Sequence, residues 1–220
     1  MSWLMNFYKS TVGMKAAMAL SGLILSGFVL FHMLGNLQIF LGPEALDDYS
    51  KMLHAIPELL WGVRITLLAC ISLHMYSAVV LTLRSRAARP VAYVKKEHLA
   101  ATYASRTIVV GGVILVLFIL FHLMHLTIGN VHPNFIPGRV NQNMIAGFSS
   151  FPVTLVYVVA NTALGLHLYH GVNALTRSLG LTNPRYTQIA RKVATGYAGL
   201  VAGGNILIAV CTYLRIGIDA

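Results

Sequence analysis

Apolar residues come in five long runs along the chain, each broken by a short polar stretch. The runs extend roughly over Met14–Leu41, Pro57–Leu83, Arg106–Gly129, Phe151–Thr176 and Ala190–Tyr213. None alternates with a period of two, as strands of a transmembrane barrel would over about ten residues. Each approaches or exceeds the ~20 residues that cross a bilayer as a helix. The breaks have their own chemistry. Gly42-Pro43 stops the first run, and Pro57 suits the first turn of the second. Pro90 marks the next loop, Asn130 to Pro137 holds two prolines, and Asn183-Pro184 divides the last two runs. The pattern predicts an all-α integral membrane bundle of five transmembrane helices, with residues 1–220 as a single transmembrane domain.

Composition strengthens this reading. Only 10% of the 220 residues are charged and 57% are apolar, where a soluble domain carries about a quarter charged residues. The formal charge of +10 could suggest nucleic acid, but the cations cluster between the apolar runs, and a nucleic-acid partner is not expected. Twelve of the sixteen, among them Lys9, Lys15, Arg84, Arg89, Lys95, Lys96, Arg106, Arg177 and Arg185, fall on one side of the expected topology. Lys51, Arg64, Arg139 and Arg215 fall on or towards the other. By the positive-inside rule the N-terminus is cytoplasmic and the C-terminus outside, in a multi-pass membrane protein. The basic face serves topogenesis and lipid headgroups, or the docking of soluble subunits. The first run follows Lys9 and Lys15 as a signal peptide might, but it is too long for an h-region and holds His32 and Asn36, so it reads as a retained span. The two cysteines, Cys70 and Cys211, both lie in apolar runs, and no C-x-x-C-H offers covalent haem attachment.

Four histidines carry the candidate chemistry: His32, His74, His122 and His167, one in each of the first four runs. An ionisable residue inside a span is expensive and marks function by default. Their depths pair them. His32 lies 17 residues from Lys15 and His122 lies 16 from Arg106, so at about 1.5 Å per residue both sit roughly 25 Å from the basic face. His74 and His167 each lie 10 residues from a cation, Arg84 and Arg177, which puts both at roughly 15 Å. Two opposed imidazoles at equal depth on different helices are what a bis-histidine haem iron requires. The sequence supplies that arrangement twice. A single such histidine could equally bond a neighbouring helix; four in two matched pairs point to two b-type haems. His125 and His170, three residues after two of these, share roughly the same helical faces. They are the alternative ligands, with a poorer depth match, and could otherwise bond haem propionates, quinone or a backbone carbonyl.

Other chemistries find less support. No Asp or Glu lies deep in a span, which disfavours a di-iron carboxylate bundle, and no H-E-x-x-H signals a zinc protease. Quinone candidates form two groups: Asn36, Gln38, Tyr49 and His54 near the outer pair, and Ser10, Lys15 and Ser21 near the basic face. The plainer role for each is interfacial hydrogen bonding or solvation. Arg64 and Arg106 could meet propionates or snorkel, while Trp61, Tyr76 and Tyr157 suit interface anchoring or packing. Gly27, Gly35, Gly111, Gly112, Gly165 and Gly171 accompany the histidines and suit helix packing or close approach of a macrocycle. Gly196, Gly199, Gly203 and Gly204, in the run without a deep histidine, are expected to serve packing.

Short motifs around these histidines add a resemblance. The first run carries S-x-x-x-x-K-x-x-M-A-x-S-G from Ser10 to Gly22, then F-H-M-L-G-N-L-Q from Phe31 to Gln38. L-H-M-Y-S-A-V-V-L-T spans Leu73 to Thr82, F-H-L-M-H spans Phe121 to His125, and H-L-Y-H-G-V spans His167 to Val172, followed by Leu179-Gly180 and Thr182 to Arg185. In order, spacing and topology the chain resembles the single-polypeptide, five-helix, di-haem cytochrome b membrane anchors of succinate:quinone oxidoreductases, the succinate dehydrogenases and fumarate reductases. The resemblance implies His32 with His122 for the distal haem and His74 with His167 for the proximal one. It further implies a quinone, menaquinone by the type of anchor, and two soluble partners on the cytoplasmic face, an FAD flavoprotein where succinate is oxidised and an iron–sulfur subunit. It implies a bacterial inner (cytoplasmic) membrane as the location, and a higher oligomer of that complex is compatible with it. His170 departs from part of the family. The deep glutamate that some fumarate reductase anchors carry before the last ligand is replaced by Gly165 and Leu166. Two other readings stay open: a di-haem cytochrome b of a hydrogenase or formate dehydrogenase, and a haem-free transporter or scaffold with structural histidines.

Overall fold

The computed structural model describes residues 3–88, 103–178, 180 and 183–218. The expected loop at Pro90, with Arg89, Lys95, Lys96 and Glu97, lies outside the described residues, as do Leu179 and Thr182. Among the described residues the regular elements are all helical. They are α1 (Trp3–Lys9), α2 (Thr11–Asn36) continuing as a 3-10 turn (Leu37–Leu41), α3 (Ala45–His54), α4 (Pro57–Ala87), α5 (Tyr103–His122) continuing as a π-turn (Leu123–Ile128), α6 (Val140–Phe148), α7 (Phe151–Ser178) and α8 (Pro184–Leu214). Five of these stretches are long and apolar enough to cross a membrane: Thr11–Leu41, Pro57–Ala87, Tyr103–Ile128, Phe151–Ser178 and Pro184–Leu214. Lipid offers the backbone no hydrogen bonds, and helices close theirs internally.

The spans begin and end where local chemistry dictates. Ser10 caps α2, accepting the Gly13 N–H at 3.0 Å. Asn183 caps α8 by accepting the Arg185 N–H at 2.9 Å, with Pro184 at the first turn. The fifth span therefore starts six residues before the hydropathy pattern suggests, because a cap fixes it and polar residues can extend a helix beyond the bilayer core. The π-turn ends at Gly129, whose φ of 85° is the left-handed conformation glycine adopts freely.

Packing joins α2 to α4, α5 to α7, and α7 to α8. One core cluster gathers Met33, Ile39, Met144, Phe148, Tyr157 and Ile208; a second gathers Leu168, Ala198 and Val201. Large apolar side chains such as Leu20, Phe31, Leu68, Val110, Leu117 and Leu200 face outward, as a lipid-facing surface would.

Two short helices absent from the hydropathy pattern, α3 and α6, close the end opposite Thr11. Buried Asp47 of α3 accepts the Asn141 N–H of α6 at 2.8 Å, with Arg139 at 3.9 Å. Asn143 exchanges two 2.8 Å bonds with the backbone of Ile136, tying the 129–139 loop to α6. Asp47→Ala strands a buried N–H, so we expect destabilisation by about 1–3 kcal/mol, read as a lower unfolding temperature of the detergent-solubilised protein.

Candidate haem-binding site

The helices bring the four candidate histidines together as two pairs. His32 of α2 faces His122 of α5 with ring centroids 5.7 Å apart, and His74 of α4 faces His167 of α7 at 6.0 Å. Tyr157 of α7 touches the first pair, and His167 of the second lies ten residues further along the same helix. The two levels are therefore separated by about 15 Å of helix rise.

Each ring is held differently. His74 Nδ1 lies 3.0 Å from the Met18 carbonyl of α2 and 3.5 Å from the Ser21 hydroxyl. A Cβ at Gly22 would meet the His74 ring at 3.1 Å, so the bare glycine lets the imidazole lie against α2. With Nδ1–H donated to that carbonyl, Nε2 keeps a free lone pair. His122 Nδ1 lies 3.2 Å from the Tyr157 hydroxyl. His32 stacks on Phe28 at 5.4 Å and remains exposed. His167 Nδ1 is buried with no hydrogen-bond partner.

These observations fit a planar macrocyclic metal centre better than a bare ion. Two axial imidazoles with metal–nitrogen bonds of about 2 Å put their centroids roughly 6 Å apart, which is the spacing of both pairs. A bare zinc ion takes four protein ligands or nearly so, yet among the described residues no group of three or more His, Cys, Asp or Glu could hold one. A pair suffices only where the equatorial ligands come from elsewhere, as a porphyrin provides. Added Cβ atoms at the half-buried Gly27, Gly111 and Gly112 would meet nothing within 4 Å, leaving room beside α2 and α5, whereas Gly171 is exposed and faces outward. An apolar cleft lined by Tyr103, Thr107, Gly111, Ile114 and Leu166 reaches His167.

His125 is seated otherwise. The π-turn that carries it packs the ring between Phe121, His132 and Tyr157, fully buried. A Cβ at Gly147 would lie 2.6 Å from its Cε1, so α6 seals its open edge. His170 is half-buried one turn beyond His167.

Of the quinone candidates, Ser10 and Ser21 spend their hydroxyls on nearby carbonyls, Phe7 at 2.6 Å and Ala17 at 2.7 Å. His54 is exposed, with Nδ1 2.8 Å from the Ser50 carbonyl. Lys15 is exposed, Asn36 and Gln38 are half-buried, and the Tyr49 ring lies against Gly35. Arg64 and Arg106 lie over their own neighbours Trp61 and Tyr103, at 5.1 and 6.0 Å. Tyr76 is exposed. Of the expected packing glycines, Gly165 abuts Ala202 and Gly204 abuts Met33, but Gly196, Gly199 and Gly203 face outward with nothing beside them.

The roles of two residues of the site escape sequence reasoning. Tyr157, for which interface anchoring and packing both stood open, is buried against His122; its signal is its position ten residues before His167, by residue count the level of His32 and His122. His132 lies in a loop but is buried, donating from Nε2 to the Asn143 carbonyl at 2.8 Å and accepting the Asn134 N–H at Nδ1. No family model, curated protein or solved structure matches the chain.

Gly147→Ala places a methyl against two buried rings, and we expect a loss of about 1–3 kcal/mol from overpacking. Gly196→Ala, with open space around it, serves as the control that leaves the unfolding temperature unlowered.

Proposed function

We propose that this chain is the membrane-anchor cytochrome b of a succinate:quinone oxidoreductase, carrying electrons between an iron–sulfur subunit and membrane quinone through two b haems. The observation that carries the reading is the meeting of His32 with His122 and of His74 with His167, at haem-ligand spacing and at two depths. The motif order along the chain supports the succinate:quinone class over other di-haem cytochromes b.

Bound haem supplies one-electron chemistry. The chain's own part would be to hold the histidine rings and fix their tautomers. Met18 does this for His74 through its carbonyl, and Tyr157 does it for His122. The twelve cations of the N-terminal side suit the cytoplasmic face, where the iron–sulfur and flavoprotein subunits would dock and where succinate chemistry would take place. The pair at that level, His74 and His167, would be the entry point for electrons. Quinone would meet Asn36, Gln38 and Tyr49 beside the outer pair, since the hydroxyls of Ser10 and Ser21 are already committed.

A dithionite-reduced minus oxidised spectrum with pyridine haemochrome quantification tests the proposal. The expected result is two b haems per chain, and co-purification with a flavoprotein and an iron–sulfur protein. His74→Ala is expected to lose one haem and keep the other. A folded preparation from haem-replete cells that holds no haem would overturn the reading in favour of structural histidines.

A further inference from the structure

We propose that Tyr157 and His125 form a hydrogen-bond chain that orients His122 as an axial ligand and sets the potential of the outer centre. This rests on the reading of His32 and His122 as a haem-binding pair. The Tyr157 hydroxyl lies 3.2 Å from His122 Nδ1 and 3.0 Å from His125 Nδ1. Its ring is fixed by Phe148 and Phe118, with centroids at 4.7 and 5.0 Å in edge-on contact. The hydroxyl thus stands between the two imidazoles with little freedom to move.

The proton count gives the chain a direction. A His122 that binds metal through Nε2 carries its proton on Nδ1 and has to donate it. Tyr157 is the partner within reach, so its oxygen accepts. The phenol's own hydrogen then goes to His125 Nδ1, which accepts, and the His125 proton moves to Nε2. That nitrogen is buried without a partner. His132, the ring beside it at 4.9 Å, cannot accept, because its Nε2–H is donated to Asn143 and its Nδ1 is filled by the Asn134 N–H. The polarity His122 to Tyr157 to His125 thus follows from the donation at His122 Nδ1, and the chain ends at His125. In this polarity the buried His125 Nε2–H has no acceptor, a cost in stability that the chain accepts at its far end. The π-turn at Leu123–Ile128 carries His125 to this position, and such turns gather at functional sites.

The physical consequence is electronic. An acceptor on a ligating histidine's second nitrogen orients the ring and makes it a stronger electron donor, which favours the oxidised metal. The inner level has a different device for the same end, the Met18 carbonyl on His74. Tyr157 and His125 are positioning residues for the outer level alone.

The test is an equilibrium redox titration of the haem-loaded protein, with electron paramagnetic resonance of its ferric signals. His32→Ala first identifies the outer centre by its loss. Tyr157→Phe keeps the ring packing and removes only the hydroxyl. The expected result is two bound haems, a raised potential and altered ferric signal for the outer centre, and no change in the inner one. His125→Phe, which cuts the chain one bond further away, is expected to move the same centre in the same direction by less, and it carries the test if Tyr157→Phe fails to hold the outer haem. Normal haem content with both potentials unmoved, or both moved alike, overturns the inference and leaves the proposed function standing. A wild-type protein without haem overturns both.

Discussion

Polar rings buried at membrane depth have to find partners inside the protein, and much of this bundle follows from that constraint. Lipid offers no hydrogen bonds, so each buried donor or acceptor is matched locally or costs stability. The backbone meets the constraint by being helical. The histidines meet it across helices. His74 reaches the Met18 carbonyl, and it can do so because Gly22, one turn further along α2, has no side chain to block the ring. His122 reaches Tyr157, whose hydroxyl in turn reaches His125. These contacts join α2 to α4 and α5 to α7, the same helix pairs that pack against each other.

The same constraint makes the two levels unlike. At the Met18 level one imidazole is satisfied by a backbone carbonyl and another, His167, has a buried nitrogen without a partner. At the Tyr157 level side chains do the matching, and α6 with the 129–139 loop closes over them. Asp47, Asn141, Asn143 and His132 make that closure, each through a bond between side chain and backbone. Such bonds fix a loop whose own carbonyls and N–H groups would otherwise be left unpaired near the bilayer.

The sequence made the five spans and the pairing of depths legible, because both rest on one-dimensional quantities. A span is a count of apolar residues, and a depth is a count from the nearest cation. His32 and His122 differ by one residue on that scale, His74 and His167 by none, and the folded helices bring those partners together. The rest was hidden because it depends on side-chain direction. For Tyr157 the sequence leaves interface anchoring and packing both open; only the fold shows its hydroxyl between two imidazoles. His125 shared a helical face with His122 while the helix was taken as regular, and the π-turn lies in that stretch. Gly196, Gly199 and Gly203 match a packing stripe, but α8 makes its contacts through Ala198, Val201, Ala202 and Gly204 instead. The caps and bonds that set α3 and α6 leave no apolar pattern long enough to notice.

Paired histidines, with no third protein ligand among the described residues, would place a demand on any metal bound between them. An ion in a two-ligand site would keep most of its coordination sphere as water, which an apolar bundle cannot supply without hydrating its core. A group that brings its own equatorial nitrogens needs only two axial imidazoles and a flat space between helices. That space requires missing side chains as well as present ones, and Gly111 of α5, open beside its Cα, lines the cleft that reaches His167. Gly165, on α7, instead abuts Ala202 of α8, and Gly204 abuts Met33 of α2. The glycines thus differ in effect: Gly165 and Gly204 permit helices to close on each other, while Gly111 leaves the cleft beside His167 unfilled by the protein itself.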